Sequence, residues 1–178
     1  MIANIRSFKA DIRTLLDIGC GIGAIGHDFL AEGASRVTFV DASEAYLAAA
    51  RSEAERRQTI ARVAFHRGDF IELASGISKA DVTVLDRVIC CHPDMVGLVS
   101  RAADRTIHLV GAVYPRDAWW VKLGTAVENA ERRLRGSPFR AYVHAPAAID
   151  AAFHQAGFAR RRCERGAVWT VAVYERVA

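Results

Sequence analysis

The sequence predicts an α/β fold in which one mostly parallel, doubly wound sheet of seven strands carries helices on both faces. Three observations support this. Short β-branched runs alternate with amphipathic helical stretches, a glycine-rich turn follows the first run, and a very short connection joins the last two runs. A connection of that length forms a hairpin, so we expect the last strand to be antiparallel to the others.

Seven runs rich in β-branched and aromatic residues are the predicted strands. The first five lie at residues 14–18, 36–41, 62–66, 81–86 and 105–113. The last two, FARRRCE and AVWTVAVYER, are joined at Arg165 and Gly166. These compositions and their polar or glycine boundaries are typical of strands.

Helices are predicted in the intervals, at residues 25–31, 43–58, 94–103 and 146–156, with a longer helical insertion at residues 116–145. Ser43 is the expected N-cap of the second helix, because its hydroxyl can accept a hydrogen bond from the first turn. The apolar face expected on that helix consists of Tyr46, Leu47, Ala50 and Ala54.

Length and composition indicate one domain, residues 1–178, with a core of ordinary size: the chain is 52% hydrophobic. Its apolar runs are shorter than the roughly 18 residues of a membrane span, and the first residues lack the apolar block of a signal peptide. We therefore expect a cytoplasmic protein with no membrane partner.

The four cysteines stand at positions 20, 90, 91 and 163, and their spacing matches neither a metal site nor a disulfide framework. We expect reduced thiols and no metal. The adjacent Cys90 and Cys91 are interpreted as buried small hydrophobic residues, with a reactive or substrate-facing thiol as the alternative.

Positive charge is concentrated in the second half of the chain. Residues 1–90 carry a net charge of −1 and residues 91–178 a net charge of +5. This excess could attract an acidic substrate or a nucleic-acid backbone. Nucleic acid is the less favoured partner, since no stacking-and-basic cluster of a known RNA module is present.

The segment LLDIGCGIGAIGHDFL, residues 15–30, contains two overlapping glycine patterns. Gly21, Gly23 and Gly26 spell G-x-G-x-x-G, the dinucleotide fingerprint. Asp17, Gly19, Gly21 and Gly23 spell D-x-G-x-G-x-G instead. In either case the missing Cβ atoms let the backbone approach a nucleotide-like ligand. We interpret Gly26 as a packing glycine of the first helix, which favours the second pattern.

Acidic residues recur at the ends of the predicted strands. Asp17 can provide an anion for a ligand ammonium, directly or through water. Asp41, which is 22 residues beyond Gly19, can accept hydrogen bonds from both ribose hydroxyls. Asp69 can accept one from an adenine amine, with Phe70 as an apolar wall for the ring. A dehydrogenase does not need this last pair.

In this order, Asp17 with its glycines, Asp41, Asp69 with Phe70, and Asp86 in VLDRV resemble the successive motifs of class I S-adenosylmethionine-dependent methyltransferases. The resemblance covers about residues 14–114 and implies a Rossmann-like seven-stranded sheet with a reversed last strand. It implies S-adenosyl-L-methionine as cofactor, lying across the carboxyl ends of the first, second and fourth strands. The cofactor-binding residues expected from it are Asp17, Gly19, Cys20, Gly21, Gly23, Asp41, Ala42, Asp69, Phe70, Asp86 and Arg87.

The acceptor is expected to be a small molecule, aromatic or acidic. VLDRVICCHPDM lacks the NPPY or DPPY tetrapeptide with which amino methyltransferases hold a planar nitrogen. Together with YPRDAWW it looks like bacterial small-molecule methyltransferases of a type loosely described as magnesium-protoporphyrin methyltransferase-like. His92 is a candidate catalytic base for O-methylation, or else a rim histidine that caps the next helix.

The insertion at residues 116–145 is the expected acceptor lid, because only about 13 residues precede the first strand and could cover the site. A longer native chain or a partner that completes the site are the alternatives. The residues expected to contact the acceptor are Tyr114, Arg116, Trp119 and Trp120. Core packing is the alternative explanation for both tryptophans.

Two other functions remain open. A nicotinamide-dependent oxidoreductase is suggested by GIGAIG with Asp41, although the chain has no Tyr-x-x-x-Lys pair and little room for a substrate domain. A non-catalytic cofactor-binding subunit that acts with a partner is the third hypothesis.

Overall fold

The computed structural model describes residues 1–6, 8 and 12–177. Its seven strands form one sheet in the order β3-β2-β1-β4-β5-β7-β6. Neighbours among β1 to β5 are parallel, whereas β7 is antiparallel to both β5 and β6. The predicted fold class is therefore confirmed. The strands are β1 (Thr14–Ile18), β2 (Arg36–Asp41), β3 (Val63–Arg67), β4 (Ala80–Asp86), β5 (Thr106–Pro115), β6 (Phe158–Arg165) and β7 (Trp169–Arg176).

Seven α-helices accompany the sheet in the described part of the chain: α1 (Ile2–Arg6), α2 (Ala24–Ala31), α3 (Glu44–Arg56), α4 (Phe70–Leu73), α5 (Met95–Asp104), α6 (Trp119–Leu134) and α7 (Pro146–Gln155). Short 3₁₀ turns cover Ile60–Arg62, Ala74–Gly76 and Ile89–Cys91. Within the described ranges, no helix has both the length and the apolar character required to cross a bilayer.

The sheet separates two apolar cores. Leu15 and Leu16 are both buried but belong to different cores, because successive side chains of a strand point to opposite faces. One core includes residues of α1, α2 and α3, such as Ile5 and Phe29. The other includes residues of α5 and α7, such as Leu98. A sheet covered on both faces in this way exposes its functional loops only at the strand ends.

Most predicted boundaries agree with the structure to within two residues, and Ser43 is the N-cap of α3, with its Oγ accepting from Tyr46 N at 3.3 Å. Two predictions need correction. Tyr46 is exposed and does not share the buried face of Leu47 and Ala50. The insertion at residues 116–145 is helical only through Leu134, because Gly136 adopts φ +72 and Pro138 follows, which ends the helix.

Candidate functional site

The order of the strands reverses between β1 and β4, which opens a crevice at the carboxyl ends of these two strands. In open α/β sheets, ligands bind at such a switch point. Asp17 lies near the end of β1 and Asp86 is the last residue of β4. The two acids predicted from separate motifs thus lie at one crevice.

The glycine-rich turn after β1 follows the D-x-G-x-G-x-G pattern. Gly19, Gly21 and Gly23 adopt φ values of +67, +54 and +79, a region that side chains disfavour. A Cβ on Gly21 would meet nothing within 4 Å, so this part of the turn faces open space. Gly26 is different: it lies within α2, and a Cβ there would be 2.2 Å from Phe39 Cε1. The structure therefore agrees with its interpretation as a packing glycine.

Asp17 is a buried acid without a complete set of partners. Its Oδ2 has no hydrogen-bond partner, and the residue is 1% exposed. Burial raises the pKa of Asp17 from its ordinary value to about 7, and the charges of Asp86 and Asp41 act in the same direction. An unpaired buried carboxylate is costly. A cation in the crevice would supply the missing partner.

Asp41 joins the end of β2 to the glycine turn. Its Oδ2 accepts a hydrogen bond from Gly21 N at 2.9 Å, and its Oδ1 accepts one from Ser43 N at 2.8 Å. Ala42, next to it, is exposed. Since each carboxylate oxygen has a second lone pair, Asp41 can hold the turn and still accept ligand hydroxyls.

Asp69 and Phe70 follow β3 and have different environments. Asp69 caps α4 through Ile71 N at 2.8 Å, and its Oδ2 lies 3.1 Å from His92 Nε2. Phe70 is buried in the core beside α5. The expectation that Phe70 provides an apolar wall for the adenine ring is therefore corrected, because its side chain packs in the core.

Two further residues of the predicted site are Arg87, in the loop after β4, and Cys20, in the glycine turn after β1. Arg87 adopts φ +56 and its Nη2 lies 3.2 Å from Asp86 Oδ2. A non-glycine residue in this conformation is uncommon and occurs often at functional sites. Cys20 Sγ donates to Gly21 O at 3.4 Å, and burial raises the pKa of the Cys20 thiol.

Cys90 and Cys91, interpreted from the sequence as buried small hydrophobic residues with a reactive thiol as the alternative, form a thiol pair. Their sulfur atoms are 3.9 Å apart, Cys90 is buried and Cys91 is half-buried. The hydrogen bond between them raises the pKa of Cys90 and lowers that of Cys91 to about 7. Adjacency in the sequence was the available signal, but only the 3₁₀ turn brings both sulfurs together.

The residues predicted to contact the acceptor come together only in part: the Arg116 guanidinium lies 5.8 Å from the centroid of the Trp120 ring, and Trp119 packs edge-on against Trp120. Tyr114 is buried in the core, with its hydroxyl 3.4 Å from that of Tyr174, so its predicted role is corrected. Arg116 donates to Gly166 O at 2.9 Å. Trp119 and Trp120 are exposed on α6, which also excludes core packing as their explanation.

A cleft of about 560 Å³ instead lies beside the crevice and was not foreseen. Its lining is mainly apolar and includes two charged side chains. The residues that line it are Met1, Ile2, Ala3, Ile25, Asp86, Arg87, Val113, Trp169 and Val171. No local pattern indicates it, because α1, β5 and β7 contribute to it from distant parts of the chain. Asp86 and Arg87 connect the cleft with the crevice.

Residues 15–106 match a family model described as a methyltransferase domain. The chain belongs to this family. The prediction made from the ordered motifs is thereby confirmed at the level of family, and the sheet topology confirms the fold. No curated protein matches the sequence of this methyltransferase significantly.

Solved structures of methyltransferases share its fold at low sequence identity. Magnesium protoporphyrin IX methyltransferase from Synechocystis PCC 6803, with bound SAH, is 17% identical, with a TM-score of 0.78 over 99% of this chain and 80% of that one. An O-methyltransferase family protein from Burkholderia thailandensis is 17% identical, with a TM-score of 0.76, and the match covers 100% of this chain and 55% of that one. An O-methyltransferase family 2 protein from Planctomyces limnophilus, in complex with apigenin, is 20% identical, with a TM-score of 0.69, and the match covers 93% of this chain and 51% of that one.

Proposed function

We propose that this methyltransferase uses S-adenosyl-L-methionine to methylate a small molecule bound in the cleft beside the crevice. One observation carries the proposal: the buried Asp17 has an unpartnered Oδ2 next to a glycine turn that faces open space. The methionine part of the cofactor carries an ammonium, which is the kind of partner that this carboxylate lacks. A pyrophosphate in the same place would be repelled.

Three acids fit the three parts of this cofactor. Asp17 would hold the ammonium, Asp41 the ribose hydroxyls and Asp69 the adenine amine. Asp69 is 41% exposed and, like Asp41, keeps lone pairs free for a ligand. Gly21 lets the backbone approach the cofactor closely, because a Cβ there would meet nothing. The walls of the same site are assigned to Gly19, Cys20, Gly23, Ala42, Asp86 and Arg87.

Methyl transfer asks little of the protein beyond positioning. The cofactor supplies a methyl carbon on a sulfonium, which an acceptor held about 3 Å away can attack directly. Asp86 lines the cleft and can take the proton of a hydroxyl acceptor. His92 does not line the cleft, and its Nε2 already faces Asp69. We therefore assign His92 to positioning Asp69 and not to proton transfer.

The acceptor class follows from the cleft. Its lining is mainly apolar, with Trp169 available to stack on a flat ring, and the guanidinium of Arg87 can bind an anionic group. We propose an acceptor with an apolar body and one acidic group. The four cysteines are free thiols, which supports a reducing compartment such as the cytoplasm. The single domain and the acceptor lid at residues 116–145 remain predictions.

The first experiment measures binding of S-adenosylhomocysteine and of NADH by calorimetry, in the wild type and in Asp41→Ala. We expect S-adenosylhomocysteine to bind and the variant to weaken it at least tenfold, about 1.4 kcal/mol, because charge-assisted hydrogen bonds to the ribose are lost. Asp28→Ala is the matched control, since Asp28 is an exposed acid of α2. Absence of S-adenosylhomocysteine binding would refute the proposal, and binding of NADH alone would favour the oxidoreductase.

Catalysis is tested separately from binding. Formation of S-adenosylhomocysteine is measured with a panel of aromatic and aliphatic carboxylic acids as acceptors. Trp169→Ala should abolish turnover of an active acceptor while it leaves S-adenosylhomocysteine affinity unchanged. Tight cofactor binding without turnover, together with co-purification of a second protein, would favour the non-catalytic subunit.

A further inference from the structure

Helix α6 presents an apolar stripe to solvent. Trp120, Leu123, Val127 and Leu134 recur at intervals of three, four and seven residues, which places them on one side of a helix. Their exposed fractions range from 47% for Trp120 to 89% for Leu134. Trp119, at the start of the helix, is 72% exposed beside them and packs edge-on against Trp120. Large apolar side chains rarely form such an exposed group in a monomeric protein.

The opposite side of α6 is attached to the domain. Val121 is buried, and Thr125 and Asn129, one and two turns further, are half-buried. The Asn129 side chain donates to Ala141 O at 2.7 Å and accepts from Ala141 N at 2.9 Å. Because these contacts fix the rotation of the helix, the stripe points away from the domain. No residue of the described part of the chain covers it.

The charge around the stripe is positive. Residues 116–140 contain six basic and three acidic side chains. Each of the three acids is already paired within the segment: Asp117 with Lys122, Glu128 with Arg132 at 3.1 Å, and Glu131 with Arg135 at 2.6 Å. The basic side chains for which the described residues provide no carboxylate partner are Arg116, Arg133 and Arg140. A negatively charged surface would complement this segment.

We propose that α6 binds to the surface of an anionic lipid membrane, with its axis in the plane of the interface. An exposed apolar stripe with tryptophan and leucine, together with charged side chains elsewhere on the helix and an excess of arginine, has the composition of an interfacial helix. Tryptophan in particular is suited to the boundary, because its ring is apolar and its N–H is polar. A second copy of the chain is the less favoured occupant, because both surfaces would carry the same positive charge. The proposal revises the expectation of no membrane partner, which rested on the absence of spanning segments.

Helix α6 is also tied to the rim of the crevice. In the segment that follows it, Tyr142 N donates to Cys90 O at 2.8 Å, and His144 Nε2 lies 3.1 Å from His92 O. Membrane contact would therefore hold the crevice near the lipid surface. The proposal does not rest on the proposed function, since it is tested by lipid binding and not by activity.

The test is flotation of the full chain with vesicles of phosphatidylcholine alone or of phosphatidylcholine mixed with phosphatidylglycerol. We expect the protein to float with the mixed vesicles and to remain unbound with phosphatidylcholine alone. Leu123→Ser combined with Val127→Ser should weaken binding at least tenfold, because serine buries little apolar surface in the interface. Val96→Ser is the matched control, since Val96 is similarly exposed but lies on α5.

Charge is tested by Arg133→Gln, which should weaken binding about fivefold, the equivalent of about 1 kcal/mol for one basic residue at an anionic surface. Arg36→Gln is its control, because Arg36 is exposed at the start of β2, which is separated by two strands from β5, the strand that precedes α6.

Three outcomes would overturn the proposal: no binding to mixed vesicles, binding that the α6 variants do not weaken, or a dimer in light scattering that the Leu123→Ser and Val127→Ser pair dissociates. The last outcome would assign the stripe to a second copy of the chain.

Discussion

His92 Nε2 lies 3.1 Å from Asp69 Oδ2 and joins the loop after β4 to the loop after β3. An ionised carboxylate can only accept, so the proton of this hydrogen bond belongs to His92 Nε2. The other ring nitrogen, Nδ1, lies 3.1 Å from Asp94 N, from which it can accept, and 3.0 Å from Asp94 O, to which it can donate. His92 thereby orients the carboxylate that we assign to the adenine amine.

Variants of these two residues should therefore have unequal effects on the cofactor. We expect Asp69→Ala to weaken S-adenosylhomocysteine binding about tenfold, since a charge-assisted hydrogen bond is lost. His92→Ala should weaken it less than about fivefold, because a partly exposed pair contributes about 1 kcal/mol at most. Calorimetry measures both. A loss that is larger in His92→Ala than in Asp69→Ala would place His92 in contact with the cofactor and contradict our assignment.

Asp17 should make the unliganded protein less stable as pH rises. Burial raises the pKa of Asp17 to about 7 in the folded state, from an ordinary value of 3.8. Between these values the folded protein holds a proton that the unfolded chain has released, so the free energy of unfolding decreases as pH rises. Asp17→Asn lacks this proton exchange and should be more stable than the wild type above pH 7, by up to about 4 kcal/mol.

Urea unfolding of both proteins on either side of this pH window measures the difference. For each protein, the change in the free energy of unfolding across this window is determined. The change in Asp17→Asn is then subtracted from the change in the wild type, because this subtraction cancels the contributions of other titrating groups. Parallel pH profiles would show that Asp17 is ionised throughout. In that case an unrecognised partner in the folded protein stabilises the charge.

Gly26 should be sensitive to a methyl group for reasons of packing alone. A Cβ there would lie 2.2 Å from Phe39 Cε1 and 2.8 Å from Val37 Cγ1. Gly26→Ala should lower the free energy of unfolding by about 1–3 kcal/mol, the usual cost of overpacking. Gly76→Ala is the control, because its Cβ would meet nothing and its φ is not positive. Thermal unfolding should show a lower Tm for the first variant and an almost unchanged Tm for the second.

Cys91 should react with iodoacetamide near neutral pH. The hydrogen bond from Cys90 lowers the pKa of Cys91 to about 7, so a large share of it is thiolate, the reactive form. In Cys90→Ala this hydrogen bond is missing, and we expect alkylation of Cys91 to slow severalfold. Mass spectrometry of digested protein follows the rate. Equal rates in the two proteins would mean that Cys90 does not activate its neighbour.

The sequence by itself determined the elements and the positions of the glycines and acids that we assign to the cofactor, because these depend on local chemistry. The strands and helices follow from the periodicity of apolar residues, and the start of α3 follows from the capping hydroxyl of Ser43. The turn after β1 follows from Gly19, Gly21 and Gly23, because glycine accepts positive φ. Acids placed directly after strands must meet at the carboxyl edge of a parallel sheet. This is why Asp17 and Asp86 could be assigned to one crevice before the structure was known.

Only the tertiary structure decided the acceptor side. Val113 and Tyr114 are neighbours in β5, yet Val113 lines the cleft and Tyr114 is buried in the core. Adjacent side chains of a strand point to opposite faces, and which face meets the ligand depends on how the strand packs in the sheet. The cleft itself joins α1, β5 and β7, which are far apart in the chain. The direction of the stripe on α6 was likewise decided by packing, through the contacts of Val121 and Asn129 with the domain.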